Sequence, residues 1–188
     1  KSKNISKIIL TTPSEKIIQY VKKNYKNITL KKRSIESSRI NVPVTESTLE
    51  VLNQLENLDK YDSFILISIG NPFMRYQLLD SAINIKKIFN VDSVIGLRYS
   101  DDLLYKHNGK SMIPLQDEKS LLKLESEQKY RKIQGMVLRD IKDYLKTKDL
   151  NGSKVGHVIF DEEAALRINS ELDILLAEAI IKRYEIKN

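Results

Sequence analysis

Three short stretches of this chain combine residue types that can hold a charged, polar ligand. The first is Ser68-Ile69-Gly70-Asn71-Pro72-Phe73-Met74-Arg75, which follows an apolar run. Small residues let backbone approach a ligand, Ser68 and Asn71 offer hydrogen bonds, and Arg75 suits a phosphate or a carboxylate. The same stretch also reads as a strand-to-helix turn with Asn71 as the helix cap. The second is Gln134-Gly135, where glycine permits close backbone approach and the amide could read a base edge; a β-bulge is the alternative. The third is Arg167-Ile168-Asn169-Ser170, leading into a helix whose start could hold an anion, with plain capping by Ser170 as the simpler reading. Asp161-Glu162-Glu163 clusters carboxylates that could hold a hard cation or simply solvate a loop.

Other chemistries are excluded by what is missing. The sequence contains no Gly-x-x-x-x-Gly-Lys, Gly-x-Gly-x-x-Gly or Gly-x-Ser-x-Gly motif. Zero cysteines remove disulfides and thiolate zinc sites, and His107 and His157 are the two histidines in the chain. No metal-ligand set is read from the sequence. There is no secretory signal, and no apolar run reaches the roughly 20 residues a membrane span needs, so a cytoplasmic protein is expected.

The net charge of +7 over 188 residues invites a nucleic-acid reading, but its distribution narrows it. Residues 1–40 carry +9 and residues 41–188 carry −2. Such an N-terminal patch can attract phosphates. No glycine–arginine tract or stacking aromatic series accompanies it, so helix-face solvation is the simpler account and no nucleic-acid partner is expected.

Apolar runs and helical periods alternate along the chain, which argues for an α/β fold with a mostly parallel sheet. Ile5–Thr12 reads as a strand, followed by a helix capped by Thr12, with Pro13 at its first position and Ile17, Ile18, Val21 and Tyr25 as its stripe. Ile28–Leu30 is a short strand, Lys31–Val44 a polar connection, and a helix starts near Thr45 or Ser47. Ser63–Ile69 is a continuous apolar run that implies a strand buried on both faces. A helix to about Phe89 buries Leu78, Leu79, Ala82 and Ile83. Val91–Leu97 is a strand, and Leu103–Leu115 a hairpin in which Asn108-Gly109 supplies the positive φ angles. Residues 116–132 are charged and poorly patterned. Ile133–Leu138 is a strand, Arg139–Lys146 a helix and Val155–Phe160 a strand. Ser170, with Asp173 three residues on, opens a last helix whose apolar side is Leu172, Leu175, Leu176, Ala179 and Ile180. The organisation expected is a single domain over 1–188 with an inserted arm at about 100–132.

The order of these pieces resembles the cytidylyltransferase family that includes the acylneuraminate (sialic acid) cytidylyltransferases. The resemblance covers about residues 5–185. It is carried by Thr11-Thr12-Pro13-Ser14-Glu15, Arg33, Tyr61-Asp62-Ser63, Asn71-Pro72-Phe73, Val91-Asp92-Ser93-Val94, Gln134-Gly135-Met136-Val137-Leu138, Ile168-Asn169-Ser170-Glu171-Leu172-Asp173 and Leu176-Ala177-Glu178. It implies a Rossmann-like nucleotide-diphospho-sugar transferase fold, a homodimer joined through the hairpin arm, and transfer of CMP from CTP to a keto-sugar acid with release of pyrophosphate. Mg²⁺ is the implied cofactor of an active member, neutralising the triphosphate. The nucleotide- and sugar-binding candidates are then Ser68, Asn71, Arg75, Gln134, Arg167 and Asn169.

The chain departs from the family pattern at informative places. The family's opening strand and basic Gly/Ser loop, which cradle CTP, have no counterpart, so a domain lacking its first βα unit is expected. The family's Thr-Asp-Ser is Thr12-Pro13-Ser14, its Gln-Pro-Thr-Ser-Pro turn is Ser68-Ile69-Gly70-Asn71-Pro72, and its Asn-Gly is Gln134-Gly135. Its metal-binding Asp-Ile-Asp is Arg167-Ile168-Asn169. The alternatives to an enzyme are a catalytically degenerate homologue kept for sugar binding, partner binding or dimerisation, and a basic nucleic-acid-binding module.

Overall fold

The structure, a computed structural model, describes residues 2–39, 41–115 and 128–186. Of the arm expected at 100–132 it therefore describes 100–115 and 128–132. The chain divides into two compact units: Lys1–Ile67 with Arg75–Ile95 and Met136–His157, and Ser68–Met74 with Gly96–Gly135 and Val158–Asn188.

In the first unit, strand β1 (Ile9–Thr12) leads into helix α1 (Glu15–Asn24), then strand β2 (Thr29–Lys32). β1 and β2 pair in parallel from Ile9↔Thr29 to Thr12↔Lys32. The cap of α1 is Ser14, not Thr12: the Ser14 hydroxyl accepts from the Ile17 N–H, while Thr12 Oγ1 accepts from the Ser14 N–H. The sequence offers two hydroxyls flanking Pro13, and the one nearer the helix takes the orphan donor. Helix α2 (Val44–Asn53) follows Pro43, slightly earlier than expected, and has no side-chain cap.

Strand β3 (Ser63–Ile67) is half-buried along its length, with Ile67 exposed. The apolar run had implied burial on both faces. The correction follows from position, because β3 ends the order β3-β7-β4-β8 of a four-stranded sheet, where β4 is Ser93–Tyr99, β7 is Tyr130–Asp140 and β8 is Val155–Ile159. β3 pairs with β7 antiparallel, from Ser63↔Asp140 to Ile67↔Met136. The sheet is therefore mixed.

Helix α3 (Tyr76–Phe89) buries Leu79 and Ala82, with Leu78 and Ile83 half-buried beside them. Helix α4 (Ile141–Thr147) is capped by the Asp140 carboxylate, which accepts from the Asp143 N–H. The helix expected from Arg139 thus starts two residues later, and Arg139 belongs to β7 with no side-chain exposure. Its guanidinium is satisfied in place: Nε donates to Asp149 O at 2.9 Å and Nη1 to Asp92 O at 2.7 Å, with Thr147 Oγ1 and Asp143 on Nη2. Gly152, at φ +72°, leaves room for it, since a Cβ there would stand 2.8 Å from Nη1.

In the second unit, strands β5 (Tyr105–His107) and β6 (Met112–Pro114) form the expected hairpin, in register Tyr105↔Pro114 to His107↔Met112. Gly109 alone supplies a positive φ there, +97°. Asn108 instead closes the loop with its side chain, Oδ1 accepting from the N–H groups of Lys110 and Ser111. Helix α5 (Glu162–Ala165) begins at Asp161, whose Oδ1 accepts from the Ala164 N–H. Part of the acidic cluster is thereby a cap. Helix α6 (Glu171–Ile186) is the last element. Its expected apolar side is not sequestered within the chain: Leu172, Leu175 and Leu176 are exposed, while Ala177 is buried. Periodicity marks a face as apolar; it does not say what covers it.

Candidate functional site

The second unit brings the three sequence stretches together. Ser68 follows β3, and its N–H donates to the carbonyl of Gly135 on β7 at 3.1 Å. Ser68 then shapes the turn locally: its hydroxyl accepts from the Gly70 N–H and its carbonyl from the Asn71 N–H. The third stretch crosses the same turn, where the Ile168 N–H donates to Gly70 O at 2.8 Å. Asn71 Nδ2 donates to Leu166 O at 3.2 Å. Backbone and side-chain bonds thus tie residues 68–71, 134–135 and 166–168 into one cluster.

Asn71 is only 4% exposed. It does not cap α3, whose N-cap position is Arg75; burial directs its amide inward instead. Its Oδ1 is buried without a hydrogen-bond partner among the described residues. Gly135 is what admits this side chain, because a Cβ there would lie 2.6 Å from Asn71 Oδ1 and 2.8 Å from Cγ. Close approach, rather than a β-bulge, accounts for that glycine.

Arg167 packs its alkyl stem and Nε over Gly70, 3.6 and 3.8 Å from where a Cβ would stand, and its Nη1 donates to Gln134 Oε1. Gln134 is exposed and Arg167 half-buried, so this pair faces outward from the buried Asn71. Asn169 is exposed, and its Nδ2 reaches Arg167 O at 3.4 Å. Ser170 caps α6 in a reciprocal box: Asp173 N–H donates to its hydroxyl, and Ser170 N–H and Oγ both donate to Asp173 Oδ2. The Asn169 N–H joins them at 2.9 Å. Those donors, the Asn169 N–H foremost, hold the Asp173 carboxyl below its ordinary range.

Of the candidates, Ser68, Asn71, Gln134, Arg167 and Asn169 therefore belong to one cluster. Arg75 falls in the first unit, where its carbonyl accepts from the Leu78 N–H. Two further participants are Gly70, one of the small residues of the first stretch, and the Leu166 carbonyl, which the sequence did not single out. A backbone carbonyl has no signal in residue type. The second unit also holds a cleft of about 240 Å³ lined by Arg98, Tyr99, Phe160, Asp161 and Glu162.

A divalent cation does not fit the residues of the cluster. Mg²⁺ takes hard anionic oxygens in an octahedron. Here Arg167 presents a cation, Asn169 offers at most one neutral amide oxygen, and Asp173 is engaged by N–H and O–H donors at the start of α6. Among the described residues no group of three or more His, Cys, Asp or Glu is placed to hold a metal. No helix among them is long and apolar enough to cross a membrane.

The sequence matches no family model and no curated protein. Solved structures do share its architecture. The chain is similar to 4-diphosphocytidyl-2C-methyl-D-erythritol synthase from Anaerococcus prevotii, with a TM-score of 0.67 and 19% identity over 95% of this chain and 82% of that one. It is similar to the bifunctional IspDF of Campylobacter jejuni, with a TM-score of 0.62 and 17% identity over 91% of this chain and 42% of that one. A third is a CMP:2-keto-3-deoxy-manno-octonic acid synthetase complexed with CTP, with a TM-score of 0.66 and 8% identity over 96% of this chain and 82% of that one. At these identities the likeness is one of fold. The chain has an α/β, Rossmann-like fold with a mixed sheet and inserted elements, the architecture these structures share.

Proposed function

We propose that this chain binds a cytidine nucleotide and a keto-sugar acid of the acylneuraminate type, through Ser68, Asn71, Gln134, Arg167 and Asn169. The observation that supports it is the bonding of the 68–71 turn, Gln134-Gly135 and the 166–169 segment into one polar cluster. In a fold of this class, ligands bind at loops outside the carboxyl ends of strands. The fold by itself assigns no substrate, so the reading rests on the cluster's chemistry together with the resemblance.

Transfer of CMP from CTP with release of pyrophosphate is the reaction the resemblance implies. Mg²⁺-assisted transfer finds no carboxylate pair at Arg167-Ile168-Asn169, so the better-supported form of the proposal is binding without turnover, in a degenerate homologue. Calorimetry with CTP, CMP and N-acetylneuraminate, beside a pyrophosphate-release assay, tests it. Binding without pyrophosphate release is expected. Release above background overturns the degenerate form, and absence of binding to all three overturns the assignment.

The same proposal includes a single cytoplasmic domain over 1–188 and a homodimer formed through the arm. Leu103, Leu104, Tyr105, Met112 and Leu115 expose apolar surface on the hairpin, which suits such a contact. Light scattering that reports a monomer at high concentration refutes the dimer. Weak, nonspecific retention on RNA or DNA is expected from the basic N-terminal segment alone.

A further inference from the structure

Arg167 differs from the other arginines whose ion pairs are defined. Arg131 pairs with Asp102, Arg139 with Asp143 and Arg183 with Glu163. Among the described residues Arg167 has no carboxylate partner; its bond is the one from Nη1 to the neutral Gln134 amide. It is nonetheless half-buried, its stem held over Gly70. Of the acids near it in sequence, Asp173 is occupied by Asn169 and Ser170, and Glu163 by Arg183 and Tyr184. A guanidinium carries five N–H donors in a planar fork. Among the described residues most of that fork has no protein acceptor, and the Gln134 NH₂ lies beside it once the Gln134 carbonyl is taken. Partial burial strengthens a charge-assisted bond made at such a place and disfavours leaving the cation unpaired.

A second observation lies in the same cluster. Among the described residues Asn71 Oδ1 is a buried acceptor without a donor, on a residue 4% exposed. Unsatisfied buried acceptors are uncommon in folded proteins, and a ligand or water donor is one way to satisfy them. Among the described residues the cluster thus has an unfilled acceptor on its buried side and, facing outward, a guanidinium without a carboxylate partner. The outward-facing fork suits an oxyanion.

We propose that this chain holds an oxyanion of its ligand directly on Arg167, with the Gln134 amide beside it, and needs no divalent metal to do so. The inference rests on the reading that this cluster binds the nucleotide or the sugar acid. Its chemistry is shared by two sources, the carboxylate of the sugar acid and the phosphate of the nucleotide. A planar guanidinium donates to either one bidentately.

The test is calorimetry on the full chain with N-acetylneuraminate, CMP and cytidine, each in EDTA and again in excess Mg²⁺. Binding in EDTA is expected, changed less than about twofold by Mg²⁺. A carboxylate source is marked by binding of N-acetylneuraminate, and a phosphate source by binding of CMP but not cytidine. Arg167→Gln weakens that ligand about 10- to 100-fold, the range for losing bonds to a charged group. Phenylglyoxal labelling of the unaltered protein, read by mass spectrometry at Arg167, gives a measurement that needs no variant: the bound ligand protects Arg167 in EDTA. Binding that appears only with Mg²⁺, an Arg167→Gln protein of unchanged affinity, or unprotected Arg167 at saturation overturns the inference and leaves the binding function standing. Absence of binding in both EDTA and Mg²⁺ overturns the two together.

Discussion

Replacing Gly135 by alanine puts one methyl group against the centre of the candidate site. The new Cβ would stand 2.6 Å from Asn71 Oδ1, 2.8 Å from Cγ and 3.2 Å from Nδ2, where ordinary contact begins at 3.4 Å. Asn71 must therefore retreat by about 0.8 Å at its closest atom, and it is a buried residue in a packed interior that yields poorly. Overpacking of this kind costs about 1–3 kcal/mol. Retreat also breaks the 3.2 Å bond from Nδ2 to Leu166 O, worth about 1 kcal/mol net. Gly135 does not adopt a positive φ, so alanine recovers about 0.4–1 kcal/mol through the unfolded chain. The balance is a loss of about 1–3.5 kcal/mol. With a urea slope of about 2 kcal/mol/M the midpoint falls by about 0.5–2 M, measurable by circular dichroism. Asn71→Ala removes the atoms the methyl meets, so the double variant should be more stable than the two single losses predict, by at least about 1 kcal/mol. A Gly135→Ala protein of unchanged midpoint, or single losses that simply add, would refute the claim that this glycine exists to admit Asn71.

Two further outcomes follow from the first unit. Arg139→Ala, which abandons the Asp149 and Asp92 carbonyls around a fully buried site, should cost about 3–5 kcal/mol, and Arg139→Lys should recover less than half of that because one ammonium cannot span both carbonyls; urea melts of the two variants check it. The Asp92 carboxyl is held below its ordinary value of 3.8 by the Lys154 N–H and then the Ser153 N–H; its contribution is therefore present above about pH 4 and lost as pH falls through the lower folded-state value, so Asp92→Asn should flatten the acid limb of stability against pH, and an unchanged limb counts against that anchor.

Much of the local structure was legible in the residues themselves. The Ser170–Asp173 box appears where a hydroxyl and a carboxylate stand three apart before a helical run, because the reciprocal bonds join neighbours in sequence. Asn108-Gly109 marked the hairpin for the same reason, although the asparagine acts through its side chain and not its φ angle. Errors arose where the deciding partner is remote. The run at 63–69 looks doubly buried by composition, but its place at the sheet edge depends on β7, about 70 residues later. Arg139 read as helix because Asp140 caps locally, while its true environment is assembled from Asp92, Asp149 and Thr147.

The candidate site divides in the same way. Residue types and spacing were sufficient to nominate Ser68, Asn71, Gln134, Arg167 and Asn169, to identify a cation where the resembling family has a carboxylate, and to indicate an α/β, Rossmann-like fold. Composition and periodicity are properties of single stretches, and nomination needed nothing more. Only the tertiary structure decided that those five residues meet in one unit while Arg75 lies in the other, that Asn71 is buried with an unfilled acceptor, and that Gly135 is the opening which admits it. Burial and hydrogen-bond satisfaction are set by groups 64 to 95 positions apart, from Gly135 to Asn71 and from Leu166 to Asn71, and a sequence read locally contains no term for such distances.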